Sequence, residues 1–240
     1  MIAPGRRADV GGVSVPVDHL IGGAWVGSHE AFETRSPLAW DDGPLAEVAR
    51  GDADTAHAAV AAAQRGFDEW GSFTVAERAK VLHRLADLIE EHTDDIATVE
   101  TLDMAFLQES MRQRLVGRGA LNFRTYADLI VAHEERRWDA KSMDNVVQRM
   151  PAGPAVVITP WNAPFMLSTW KLAPALAAGN SVIHKPAEWS PLTAALLAEL
   201  TLEAGFPSGA YNLVQGIGEE VGAALVSDRG VRRITFTGSA

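Results

Sequence analysis

Apolar residues recur along this chain in two rhythms. Between Val81 and Ile89 the apolar positions Val81, Leu82, Leu85, Leu88 and Ile89 come at threes and fours, which predicts an amphipathic helix. Thr74-Val75-Ala76-Glu77 has capping-box spacing, so that helix opens there and runs to about Glu91. Before it, Asp52 or Asp54 can cap a run of small residues from Thr55 to Trp70, with Val60, Phe67 and Trp70 along one side. Thr93 to Met104 and Gln108 to His133 read as two more helices. Leu115, Leu121, Phe123, Tyr126, Leu129 and Ile130 are core candidates of the second. Nearer the N-terminus, Leu20 to Val26 around Gly22-Gly23 reads as a hairpin or strand, and Phe32 to Arg35 alternates into the turn Ser36-Pro37. Residues 1–18, rich in Gly, Pro and Val, read as a loose arm. The polar stretch from Glu134 to Asn145 breaks the helical pattern before a strand from Val146 to Arg149.

From Ala155 the rhythm changes to short apolar runs alternating with helices. Ala155-Val156-Val157-Ile158, Ser181-Val182-Ile183-His184, Tyr211 to Val214 and Arg233 to Phe236 are strands. Helices are expected from Phe165 to Ala178, ended by Gly179-Asn180, and from Ser190 as N-cap with Pro191 at N1 to Ala204, ended by Gly205. A shorter one spans Glu219 to Val226. This alternation predicts βαβ units and a Rossmann-like parallel sheet with flanking helices, preceded by the hairpin and helical segment. Right-handed crossovers put every strand-to-helix loop at one edge of that sheet. The segments expected are 1–133 (arm and helices), 134–151 (a bridging hairpin) and 152–240 (the βαβ core).

Composition narrows the function classes. The 240 residues are 47% hydrophobic and 22% charged, ordinary for a globular chain with a sizeable core. A formal net charge of -10 argues against nucleic acid or an anionic membrane as partner. No apolar run reaches the roughly 18 residues of a membrane helix. Arg6 and Arg7 precede no apolar core of a secretory signal. The chain has no cysteine, hence no disulfide framework, and a cytoplasmic location is the default reading. The seven histidines show no ligand spacing, so no metal site is expected.

Candidate chemistry gathers where the sheet's loops emerge. Asn162 lies between Pro160 and Pro164; it is either a turn residue or an amide donor at a strand's carboxyl end, able to stabilise an oxyanion. Lys185 and Glu188 follow the second strand. They are either loop charges or, for the carboxylate, an acceptor for ribose hydroxyls. Gly216, Gly218 and Gly222 suit a close approach of backbone to phosphate. They follow the third strand, however, where the usual dinucleotide fingerprint follows the first. His184 ends a buried strand and reads as structural.

Thr159-Pro160-Trp161-Asn162, Lys185-Pro186-Ala187-Glu188, Gly216-Ile217-Gly218 and Phe236-Thr237-Gly238-Ser239, in this order, resemble the cofactor half of the aldehyde dehydrogenase family. Leu20 to Phe32 and Ala59 to Leu88 resemble that family's opening hairpin and early helices. The run from Trp161 to Lys171 is similar to the hydroxymuconic-semialdehyde branch. The resemblance implies oxidation of an aldehyde to a carboxylic acid through a thiohemiacetal, with Asn162 in the oxyanion hole. It implies a site for NAD, rather than NADP, made by Ile158, Thr159, Pro160, Trp161, Lys185, Ala187, Glu188, Gly218, Gly222, Phe236, Thr237, Gly238 and Ser239. Ala163, Leu167 and Trp170 would face the substrate, although core packing is the expected role of Trp170 from the sequence. Lys171 matches a lysine near the family's active site. The resemblance also implies a small-molecule aldehyde as partner, a homo-oligomer contacted through the hairpin around Glu134 to Arg149, and a chain truncated before the catalytic domain. The family's cysteine nucleophile and general-base glutamate fall beyond Ser239, and so does a fifth strand, which leaves the edge of the fourth bare. The absent cysteine keeps a second reading open, a non-catalytic nucleotide-binding or partner-pairing fragment.

Overall fold

The computed structural model describes residues 5–141 and 143–238. Its first half contains strands β1 (Arg7–Val10), β2 (Val13–Pro16), β3 (His19–Ile21), β4 (Ala24–Val26), β5 (Glu30–Thr34) and β6 (Ala46–Arg50). Helices α1 (Ala53–Ser72), α2 (Val75–Glu91), α3 (Thr93–Met104), α4 (Gln108–Ser110) and α5 (Gly117–Val131) follow. A hairpin of β7 (Arg136–Ala140) and β8 (Met143–Val147) leads into β9 (Ala155–Ile158), α6 (Pro164–Ala177), β10 (Val182–Lys185), α7 (Leu192–Ala204), β11 (Tyr211–Leu213), α8 (Ala223–Ser227) and β12 (Arg233–Phe236). π-Helical turns at Met111–Val116 and Gly218–Gly222 open α5 and α8.

The central sheet has the order β12-β9-β10-β11-β3-β4. Its first four strands are parallel, and the β3–β4 hairpin joins β11 antiparallel, so the sheet is mixed rather than wholly parallel. Gly22 and Gly23 turn that hairpin with φ of 60° and 79°, left-handed angles that suit glycine. Alternation along the strands divides the core in two. Val156 and Ile183 pack with Ala56, Ala59, Val60 and Leu225 under α1 and α8. Ala155, Val157 and Val182 pack with the larger cluster beneath α2, α5, α6 and α7. Gly66 of α1 lets that helix press on the loop before β11, because a Cβ there would stand 2.0 Å from the Gly209 carbonyl carbon.

Several expectations are corrected. The arm is structured from Arg7 to Pro16 as the β1–β2 hairpin, which feeds Val10 and Val15 into the core. Glu30–Thr34 pairs with β6, a strand without sequence periodicity to announce it. Glu134 to Asn145 is not a break but most of the exposed β7–β8 hairpin. Leu121 and Leu129 are exposed, since the buried face of α5 runs through Ala120, Phe123 and Ala127. Ser190 does not cap α7: the N-cap residue is Pro191, without a side-chain cap. The carboxylate of Asp103 on α3 accepts from the Leu192 N–H at 3.2 Å in its place.

Candidate functional site

β9 sends its crossover to β10 on one side and has β12 on the other, which makes the β9/β12 boundary the topological switch point. In open α/β sheets ligands bind outside the carboxyl ends of the strands at such a point. A cleft of about 440 Å³ lies there, lined by Ile158, Thr159, Pro160, Trp161, Asn162, Lys185, Ala187, Glu188, Trp189, Gly218, Phe236, Thr237 and Gly238. The cofactor residues read from the sequence, with Asn162, are thus brought together apart from two. Gly222 sits behind the cleft in the π-helical turn, where a Cβ would meet the Lys185 side chain at 4.0 Å. Ser239 lies outside the described residues.

The floor of the cleft is a buried polar network. His184 Nε2 is 3.0 Å from Thr159 Oγ1 and 3.1 Å from Ser168 Oγ, and its Nδ1 is 2.9 Å from the Tyr211 hydroxyl. Burial, and then the neighbouring Lys185 charge, pushes the His184 pKa down to about 3, so the ring is neutral and structural. The Thr237 N–H donates to the Ile158 carbonyl at 3.2 Å, and the Thr159 N–H to that of Lys185 at the same distance. These bonds fix the three loops to one another.

Lys185 Nζ donates to Glu188 Oε2 at 2.8 Å. The lysine side chain is 2% exposed and the glutamate 29%. Burial lowers the Lys185 pKa against the opposing pull of Glu188. Burial alone would raise that of Glu188, but the hydrogen bond and charge of Lys185 outweigh it and hold the carboxyl below its usual range. Glu188 is therefore held as a carboxylate, and burial works against the charge of its lysine partner.

Trp161 and Trp189 line the cleft with 54% and 65% of their surface exposed, unusually open for tryptophan. Asn162 is exposed as well. Sequence reasoning missed Trp189, whose only signal was its place beside Glu188.

The expected substrate residues lie mostly in a different space. Leu167 and Trp170 line a cavity of about 900 Å³ with Arg118, Leu121, Asn122, Lys171, Arg233 and Thr235, while Ala163 is buried at the start of α6. Thr237 lines both spaces. Trp170 is 46% exposed, which corrects its expected core role: the inward face of α6 is taken by Phe165, Leu172 and Leu176. Lys171 Nζ donates to Thr235 Oγ1 at 2.9 Å, and burial lowers its pKa. Among the described residues no group of His, Cys, Asp or Glu is arranged to hold a metal. No described helix is long and apolar enough to cross a membrane.

Residues 25–240 match the model of the aldehyde dehydrogenase family. The 5-carboxymethyl-2-hydroxymuconate semialdehyde dehydrogenase of Escherichia coli is 38% identical over 223 residues, which cover 92% of this chain and 47% of the relative. The 2-hydroxymuconic semialdehyde dehydrogenase of Pseudomonas sp. (strain CF600) is 41% identical over 234 residues, again 92% and 47%. Among solved structures, the NAD+ complex of an aldehyde dehydrogenase from Bacillus cereus superposes with a TM-score of 0.89 at 36% identity, over 93% of this chain and 46% of the other. The chain spans about half the length of the curated relatives it matches.

Proposed function

The chain belongs to the aldehyde dehydrogenase family, and on that premise we propose that it is the cofactor-binding half of an enzyme that oxidises an aldehyde, of the semialdehyde class, with NAD. The observation that carries this reading is the single cleft at the switch point, which gathers Asn162, Lys185, Glu188, Gly218 and the Phe236–Gly238 loop. The residues fit a dinucleotide. Glu188 spends one carboxylate oxygen on Lys185, and its other oxygen is available to a ribose hydroxyl. Gly218 keeps side-chain bulk off the cleft wall, and an ionised Glu188 disfavours a 2′-phosphate. The bound nicotinamide supplies the hydride acceptor. Asn162, at the end of the loop after β9, donates its amide to the oxygen that gains charge when the carbonyl becomes tetrahedral. With no cysteine in the 240 residues, a thiolate nucleophile has to come from outside them. Residues 1–133 and 152–240 form the nucleotide-binding unit, and the exposed hairpin within 134–151 bridges to a second subunit.

Calorimetric titration of the purified chain with NAD and NADP tests the cofactor site. Binding of NAD that weakens in Glu188→Gln supports it, and equal affinity of the two variants for NAD would refute the assignment of Glu188. For the complete protein, loss of aldehyde oxidation in Asn162→Ala with unchanged NAD affinity is expected. Full activity in that variant removes Asn162 from the mechanism.

A further inference from the structure

Both helices that leave the cleft lack a cap of their own. The N-cap positions of α6 and α7 are Ala163 and Pro191, and neither supplies a side-chain cap. Caps arrive instead from α3, a helix of the N-terminal segment. Glu100 is fully buried. Its Oε1 accepts from the Phe165 N–H, the first free amide of α6 after Pro164, at 3.1 Å. Its Oε2 accepts from Thr193 Oγ1 in the first turn of α7 at 2.6 Å. One turn along the same face of α3, Asp103 accepts from the Leu192 N–H.

A serine or aspartate at position 163 or 191 would stabilise each helix as well by itself. A side chain that caps α6 and also holds the Thr193 hydroxyl does something a local cap does not: it ties the two helix starts, and the loops that run into them, to one anchor. One of those loops carries Asn162 and the other carries Glu188. We propose that Glu100 is a positioning residue, which holds the Asn162 loop and the Lys185–Glu188 loop in register across the cleft from behind. This rests on the cofactor reading above. It adds that affinity for the dinucleotide depends on a buried carboxyl group that touches none of the ligand.

The test compares Glu100→Ala, Glu100→Gln, Thr193→Val and a core truncation elsewhere, Leu85→Ala, in the 240-residue chain. NAD affinity is read by calorimetry and the Phe165 amide by hydrogen exchange. Loss of a cap worth one hydrogen bond should weaken NAD about tenfold in Glu100→Ala. Glu100→Gln keeps an acceptor for Phe165 and should stay near the wild-type value, with Thr193→Val in between. Leu85→Ala should lower the unfolding midpoint while leaving NAD affinity unchanged. Exchange at Phe165 should quicken in Glu100→Ala alone. The proposal is overturned if Glu100→Ala binds NAD as wild type does, or if Leu85→Ala weakens binding as much. If Glu100→Ala does not fold, Thr193→Val decides: wild-type affinity there counts against the proposal. A wild-type chain that binds no NAD sinks the cofactor reading, and Phe165 exchange across the variants then judges the positioning claim by itself.

Discussion

Gly218 separates what folding needs from what a ligand needs. A Cβ built on it would stand 3.8 Å from Lys185 Nζ and 3.9 Å from Glu188 Oε2, ordinary contact distances. The protein alone therefore tolerates alanine there, and helix propensity favours it. Gly218→Ala should leave the unfolding midpoint equal or higher and weaken NAD binding, because the methyl group points at space only a ligand uses. Unchanged affinity would mean that no phosphate approaches this backbone. A second residue-level prediction concerns pH. Burial raises the Glu100 pKa to about 8 and the Asp103 pKa to about 7. Both lie above unfolded carboxylate values, so the folded chain holds these protons more tightly than the unfolded one. That contribution is complete below about pH 4 and is lost as pH rises through about 7 and 8. The urea midpoint should therefore fall between about pH 5 and pH 9, and the fall should shrink in Glu100→Gln. A midpoint that rises over this range contradicts the assignment. At this scale the gathering of Asn162, Lys185 and Glu188 around one cleft was legible, because the loops after parallel strands emerge at one edge of the sheet. Glu100 and Asp103 were not. They sit among Ile96, Ala97 and Val99 on a short helix, where an acid reads as solvent-facing until its partners from residues 165 and 192 are known.

Element starts divide the same way. Asp52 accepts from the Thr55 N–H at 2.9 Å, and Thr74 and Glu77 cap each other reciprocally. These caps lie within four residues, so the sequence announces them. The start of α7 depends on Asp103, 89 residues away, and local reading assigned it wrongly to Ser190. Ser190 Oγ is buried with no hydrogen-bond partner among the described residues. Asp52→Ala should therefore destabilise the chain by about 1 kcal/mol. Ser190→Ala should cost nothing or stabilise slightly, since it removes an unsatisfied buried hydroxyl. Urea denaturation of both variants checks the contrast, and a larger loss for Ser190→Ala would restore it as the cap. The strands β1, β2 and β6 went unread for another reason. They are four or five residues long, and their burial comes from elements that the local pattern does not contain.

For the whole molecule the sequence predicted the alternation that builds the sheet, but not that the opening hairpin extends it beyond β11. Periodicity carries no information about which strands become neighbours. The expectation of a bare edge came from the family resemblance, and among the described residues β12 is the outermost strand of the sheet. Ile234 is 49% and Phe236 57% exposed beside its unpaired backbone, while β9 covers its other side. A hydrophobic strand with one free edge is a template for pairing with another chain. A second apolar surface lies far off in sequence, on the β7–β8 hairpin, where Trp138 and Met143 are exposed. The two make different predictions for self-association. If β12 drives it, Ile234→Lys should shift the chain toward monomer in sedimentation velocity and leave the urea midpoint within about 0.5 kcal/mol, as exposed substitutions do. Trp138→Glu should then have little effect. If the hairpin drives it, the two variants exchange outcomes. A wild-type chain that stays monomeric at every concentration argues against both, and would mean that Arg232 and Arg233, at the start of the strand, are enough to keep its edge apart from other copies.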